Sequence, residues 1–285
     1  MAQKKSRLFP VAFLAAKATL AALKLTNHEG GTLPGFIAEG IDPAFLGDIA
    51  KPEQIVFITG TNGKTTTNNL LNDLLADNGY QTVTNRVGGN ISSGFASSFA
   101  KNATWKGTSK TKLAVMEFDE LSGPRIFPYL QPDILSVTNL FRDTFSRSAT
   151  PDYVFDVMDK GIPASTHLIL NADDMISCRL APQCTHRTYY SIARLAEDTA
   201  EPVGIVSDLT ACPKCGGKLK WDYAHLRHLG HATCEEFVVK EHCHEDAPTY
   251  EYKLNSYSIV NLYNLFVAIV TAREMGLAPA TIAAS

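Results

Sequence analysis

Ile55-Val-Phe-Ile-Thr59 runs directly into Gly60-Thr-Asn-Gly-Lys-Thr-Thr-Thr67, and no other stretch restricts the fold of this chain as much. A short unbroken apolar run suits a strand buried on both faces, as in a parallel sheet. Leu70, Leu71, Leu74 and Leu75 then recur on one helical face, with Gly79 placed to end the helix. Strand, glycine turn and helix make a phosphate cradle, because glycines let backbone N–H groups turn toward an anion and the helix start adds its dipole. Lys64 is placed to reach the β/γ phosphates of a nucleotide, and the Thr65 hydroxyl to ligate Mg2+. The strict pattern G-x-x-x-x-G-K-[ST] is not met, since Ile58 stands where its first glycine belongs.

Leu113–Met116, Ile134–Val137 and His167–Leu170 read as further buried strands. Tyr153, Val154, Val157 and Met158 mark a helix between the last two, and a final helix spans Ile259–Met275 with Gly276 at its end. Strands alternating with helices predict an α/β fold built on a mostly parallel P-loop sheet. With 45% hydrophobic residues among 285, there is ample material for a core, and a net charge of −3 disfavours a basic nucleic-acid binder. The expected division is an N-terminal arm at 1–50, a nucleotide-binding domain at 51–206 and 253–285, and a Cys- and His-rich insertion at 207–252.

Lys4, Lys5 and Arg7 precede the apolar stretch Leu8–Ala16 as in a signal peptide, but Lys17 and Lys24 interrupt the residues beyond it. Leu8, Val11, Ala12, Ala15, Ala18, Ala22 and Leu25 recur at helical spacing, which predicts an amphipathic helix packed on the body of the protein. Its basic residues would also suit a membrane surface. A loop at Glu29–Gly40 and a connector at Ile41–Pro52 are expected next.

Cys212-Pro-Lys-Cys215, followed by Gly216-Gly217, is a zinc-knuckle turn, and Cys234 and Cys243 complete C-x2-C-x18-C-x8-C. Structural zinc on these four is expected, with His231, His242 or His244 as substitutes for Cys243. Cys178 and Cys184 lack a knuckle and read as ordinary reduced thiols, which, beside a nucleotide site, points to the cytoplasm.

The apolar strand ending Glu117-Phe-Asp-Glu120 delivers carboxylates to the sheet edge where ligands bind. Alternation places Asp119 on the Glu117 face and turns Glu120 away. Asn139, Arg142 and Asp143 follow another strand end. Asn171-Ala-Asp-Asp174 follows a third, where Asp173 and Asp174 are placed to cap the next helix.

Taken in order, Gly30-Gly-Thr-Leu-Pro-Gly35, Thr59–Thr67, Asn85–Gly94, Glu117–Glu120, Thr138–Asp143, Asn171–Asp174 and the cysteine insertion resemble the Mur ligases, within them the MurT-like ligase subunits. The resemblance runs from about residue 30 to the end of the chain. It implies a Mur ligase central-type fold with an inserted zinc-ribbon-like module, and an ATP-dependent amide ligase using Mg2+. ATP would be held by Gly60, Thr61, Asn62, Gly63, Lys64, Thr65, Thr66 and the adenine-side Asn171. Lys64 and Glu117 would be catalytic, with Mg2+ on Thr65 and Glu117. The implied reaction amidates the D-glutamate α-carboxyl of the lipid II stem peptide to D-isoglutamine through an acyl phosphate. Ammonia would come from a separate GatD-like glutaminase, in the cytoplasm or at the inner face of the membrane.

This sequence departs from the pattern at Thr144, Ser146 and Phe237, and Met158 occupies the place near which many Mur ligases carry a carbamylated lysine, so none is assigned. The further C-terminal domain of such ligases, which closes over the nucleotide and meets the glutaminase, is expected to lie outside this chain. Alternative readings are an amino-acid-adding Mur or folylpolyglutamate-type ligase, or an ATP-binding zinc-ribbon module without turnover.

Overall fold

The structure, a computed structural model, describes residues 5–28, 31–86, 89–140, 151–203, 209–234 and 258–285. Three helices open the chain: α1 (Phe9–Leu25), α2 (Leu33–Ile41) and the short α3 (Phe45–Asp48). Strand β1 (Gln54–Thr59) leads through the glycine loop into α4 (Lys64–Asp77). Next come β2 (Thr82–Val83), α5 (Ser92–Asn102), β3 (Leu113–Glu117), α6 (Gly123–Ile126), β4 (Ile134–Val137), α7 (Pro151–Gly161), β5 (His167–Asn171) and β6 (Arg187–Tyr190). A hairpin, β7 (Lys220–Leu226) and β8 (Leu229–Thr233), precedes α8 (Ile259–Glu274) and α9 (Pro279–Ala284).

Among the described residues, one six-stranded sheet runs in the order β2-β3-β1-β4-β5-β6, and all its pairings are parallel. Ile58 pairs with Glu117 and Thr59 with Val137, so the C-terminal ends of the central strands form one edge. Side chains alternate between two apolar layers, as period 2 requires. Phe57, Ala114, Met116, Leu135 and Leu168 face α1, α2, α5 and α7, while Val56, Ile58, Val115 and Ile169 face α4 and α8. Burial on both sides is what makes these strands read as continuous apolar runs.

Two expectations need correction. Residues 33–41 form α2 rather than a loop. Pro34 lies in the first turn, where its missing N–H is not needed, and Gly35 lets α2 meet α5. A Cβ at Gly35 would overlap the Ser93 carbonyl oxygen and crowd Ser97 N, while the Gly35 N–H donates to Ser97 Oγ at 2.7 Å. Gly35→Ala should therefore cost about 1–3 kcal/mol in urea unfolding. An unchanged midpoint would mean that the crossing adjusts.

The second correction concerns α1, which does pack on the body but with a different stripe. Phe9, Ala12 and Ala16 are buried with Phe13 and Leu20 beside them, whereas Leu8, Val11, Ala18, Ala22 and Leu25 are exposed. Stacking of Phe9 on Phe13 and Phe45, with ring centres 5.8 and 5.5 Å apart, rotates the aromatic face inward. Arg142, Asp143, Thr144 and Ser146 lie outside the described residues, as do Phe237, His242, Cys243 and His244.

Candidate functional site

The loop after β1 turns at Gly63, whose φ of +86° is left-handed and whose missing side chain admits Asn264 of α8. Its backbone is clamped from the β4 end. Thr61 N donates to Asn139 O at 2.8 Å, Asn62 N to Asn139 Oδ1 at 3.1 Å, and Thr138 Oγ1 to Asn62 O at 2.7 Å. Gly60 N donates to Glu120 Oε1 at 3.1 Å. The N–H groups of Gly60, Thr61 and Asn62 are thus engaged within the protein, and these residues shape the cradle. The donors offered to an anion are those of the first turn of α4, at Lys64, Thr65 and Thr66, which have no intrahelical acceptor.

Lys64 arches over this loop, its Nζ donating to Gly60 O at 2.6 Å and Glu120 Oε1 at 2.9 Å. Glu120 was expected to turn away. The strand instead ends at Glu117, and a 3₁₀ turn at Glu120–Ser122 breaks the alternation, bringing that carboxylate under Lys64. Asp119 accepts the Ser122 hydroxyl at 3.0 Å and stays outside the cluster.

Thr65 Oγ1 donates to Glu117 Oε2 at 2.7 Å, so the two oxygen groups proposed from sequence do meet. Glu117 is fixed from a second side. Asn90 Nδ2 donates to its Oε1 at 3.0 Å, and Asn85 takes the Glu117 N–H and donates to its C=O, both at 2.8 Å. A hydroxyl beside a carboxylate is the donor set a hard divalent cation takes, and the first-turn N–H groups at the start of α4 are the setting for phosphate oxygens. Asn264 carried no sequence signal, because its place under Gly63 depends on a helix two hundred residues away.

Asn171 stands apart from this cluster. It is fully buried, donates to Thr138 O at 2.9 Å and accepts the Asp173 N–H, strapping β5 to the strand end that clamps the loop. Asp173 accepts Tyr263 Oη at 2.9 Å and Ile192 N at 2.8 Å. Asp174 takes the Leu140 N–H at 2.7 Å, the Ile176 N–H at 3.0 Å and His228 Nε2 at 3.2 Å. Burial would raise the Asp174 carboxyl, yet His228, Ser177 and the Leu140 N–H outweigh it and hold the group below its ordinary value. The pair does more than cap a helix, since it joins β4, α8 and the hairpin.

The Cys212, Cys215 and Cys234 sulfurs lie within 4.8 Å of one another, with Gly216 at φ +73° shaping the turn. Burial would raise the Cys212 thiol, but hydrogen bonds from Cys234 and the backbone of Cys215 and Lys214 bring it below its ordinary value. His231 does not lie within this group; its Nδ1 is paired with Asp222. Burial pushes the Cys178 and Cys184 thiols up, which keeps them protonated and unreactive. A cleft of about 560 Å³ between α1 and α5 reaches Thr84 and Asn85 just beyond β2, and its ionisable lining groups, Lys17, Lys24, His28 and Lys101, are all basic.

A family model described as the Mur ligase middle domain matches residues 58–272. The chain is 33% identical to lipid II isoglutaminyl synthase (glutamine-hydrolyzing) subunit MurT of Staphylococcus aureus (strain COL), over 94% of this chain and 63% of that protein. It is 30% identical to the subunit of the same name from Streptococcus pneumoniae (strain ATCC BAA-255 / R6), over 87% of this chain and 59% of that one. The chain therefore spans about three-fifths of the length of these relatives. Among solved structures, a pseudomurein peptide ligase type C from Methanothermus fervidus superposes with a TM-score of 0.62 at 21% identity, over 85% of this chain and 50% of that one, which is a likeness of fold.

Proposed function

The chain belongs to the Mur ligase family, and from that premise we propose that it is the ATP-dependent ligase subunit that amidates the D-glutamate α-carboxyl of the lipid II stem peptide. The observation that carries this reading is the meeting of Lys64 with the loop and of Thr65 with Glu117 at one sheet edge. Lys64 and the first-turn amides of α4 hold the β/γ phosphates, while Gly60, Thr61, Asn62 and Gly63 shape the turn and Asn171 supports it from the adenine side. When bound to Thr65 and Glu117, Mg2+ neutralises charge on the phosphoryl oxygens.

A substrate carboxylate oxygen attacks the γ-phosphorus, the bond to the β-phosphate oxygen breaks, and ADP leaves. Ammonia then attacks the acyl carbon, inorganic phosphate departs and the nitrogen loses a proton. Lys64 and the amides offset the charge that develops during phosphoryl transfer. The basic cleft beside Asn85 suits the acceptor, a polyanion. Ammonia is supplied by a GatD-like glutaminase in the cytoplasm. Purified full-length protein with that partner, lipid II, glutamine and ATP should yield ADP and amidated lipid II. Amino-acid addition in place of amidation in an acceptor panel would reassign the substrate.

Cys212, Cys215 and Cys234, with Cys243 as fourth ligand, are further proposed to hold structural zinc in a zinc-ribbon-like insertion over 207–252. Leu209, Leu219 and Ala232 join the main apolar cluster, so zinc would brace the hairpin against the ligase body. Metal analysis of the purified protein should find stoichiometric zinc, lost in Cys212→Ser. Retention in Cys243→Ser would move the fourth ligand to His242 or His244.

A further inference from the structure

The side of α1 turned away from the body is as apolar as the side it buries. Leu8, Val11, Leu14 and Leu25 are 51%, 57%, 60% and 89% exposed. Scattered exposed apolar residues are ordinary, but a stripe along one helix marks a contact surface. Charge is gathered around it. Residues 1–28 contain five Lys or Arg and no Asp or Glu, in a chain whose net charge is −3. Residues 101–112 are a second such segment, with Lys101, Lys106, Lys110 and Lys112.

The fold brings the two segments together. Lys17 Nζ donates to Ala103 O at 2.5 Å and lies 5.6 Å from the centre of the Trp105 ring. Trp105 meets Phe13 edge-on at 6.0 Å while remaining 71% exposed. Lys110 is near enough to Lys17 to add, after burial, to the lowering of its pKa. Among the described residues, the acids Asp48 and Glu53 adjoin the surface: Asp48 accepts the Ser6 N–H at 2.6 Å, and Glu53 lies 3.9 Å from Lys112. Among the described residues, no helix is long and apolar enough to cross a membrane.

We infer that this face seats the protein on an anionic lipid bilayer, with the α1 stripe and Trp105 at the acyl boundary and the lysines at the lipid phosphates. A second copy of the chain fits worse, because pairing the face with itself would oppose cation to cation. The inference stands independently of the ligase reading. If both hold, a lipid-linked substrate is met at the surface where it resides.

Sedimentation of the full-length protein with phosphatidylcholine vesicles, and with vesicles that also contain phosphatidylglycerol, tests it. Pelleting is expected with the anionic vesicles alone and is weakened by salt. Lys106→Glu with Lys110→Glu should lower partitioning by at least roughly five-fold per lysine. Val11→Ser with Leu14→Ser should lower it too, while binding of an ATP analogue shows that each variant is folded. No pelleting with either vesicle, or pelleting indifferent to both variants, overturns the inference. So does a dimer in solution that Leu14→Ser dissociates, or loss of glutaminase co-purification in these variants, each of which gives the face to a protein. Amidation assayed in detergent reports the ligase reading separately.

Discussion

Lys64→Ala should lower ATP-dependent product formation by about 10²–10³-fold, the usual effect of removing one preorganised group that meets developing charge. The size of the effect follows from placement. Lys64 Nζ is already held over the loop by Gly60 O and Glu120, so the proposed phosphoryl transfer beneath it would need little reorganisation. ADP release in a coupled assay, beside binding of a fluorescent ATP analogue, measures both binding and turnover. Lys64→Arg should not restore the rate, because its planar fork cannot reproduce a point charge at that spot. Activity within a few-fold of the parent would show that the loop is not where phosphoryl transfer occurs. Glu120→Gln is the informative companion. It keeps an acceptor for Gly60 N but removes the charge facing Lys64, so ATP affinity should change more than any later step.

Asp174→Ala should be the most destabilising single change in the described core. Its carboxylate is fully buried and receives donors from Leu140, Ile176 and His228, which belong to three separate parts of the fold. Removing it strands those donors away from water, at a cost of about 3–5 kcal/mol. Denaturant unfolding at neutral pH measures the loss, and a change under 1 kcal/mol would mean that the donors find water. The parent protein should also show an acid signature. The folded Asp174 binds its proton less readily than the unfolded one, so its stabilising contribution is complete above the ordinary carboxylate value of 3.8. The contribution is lost as pH falls below that value toward the lower one of the folded chain. Asp174→Asn should remove this part of the acid dependence and leave the remainder.

Much of this architecture was legible because its signals are local. The strands β1, β3, β4 and β5 are short apolar runs, and α4, α7 and α8 carry helical periodicity, so their positions in the sequence sufficed. The meeting of Thr65 and Glu117 was also legible, since one opens a helix and the other ends a strand at the edge where ligands bind in folds of this kind. β2 carried too little signal, at two residues, and α2 was hidden by glycines and a proline that usually mark loops. Glu120 was misplaced because alternation was carried past the last residue of β3 into a turn. The inward face of α1 could not be told from the outward one, as both are apolar.

The sequence by itself determined that this chain makes a parallel α/β sheet with a strand, a glycine turn and a helix in succession, and it expected four cysteines in a knuckle pattern and a basic, apolar N-terminal arm. Periodicity, glycine placement and cysteine spacing act within a few residues and survive without a partner. Tertiary structure alone decided that Glu120 holds Lys64, that Asn139 and Asn264 support the loop, and that Asp173 and Asp174 tie α8 and the hairpin to the sheet. Those contacts join residues from about 55 to 200 positions apart. Their geometry is set by the register of buried strands and the packing of α8, which no local pattern encodes.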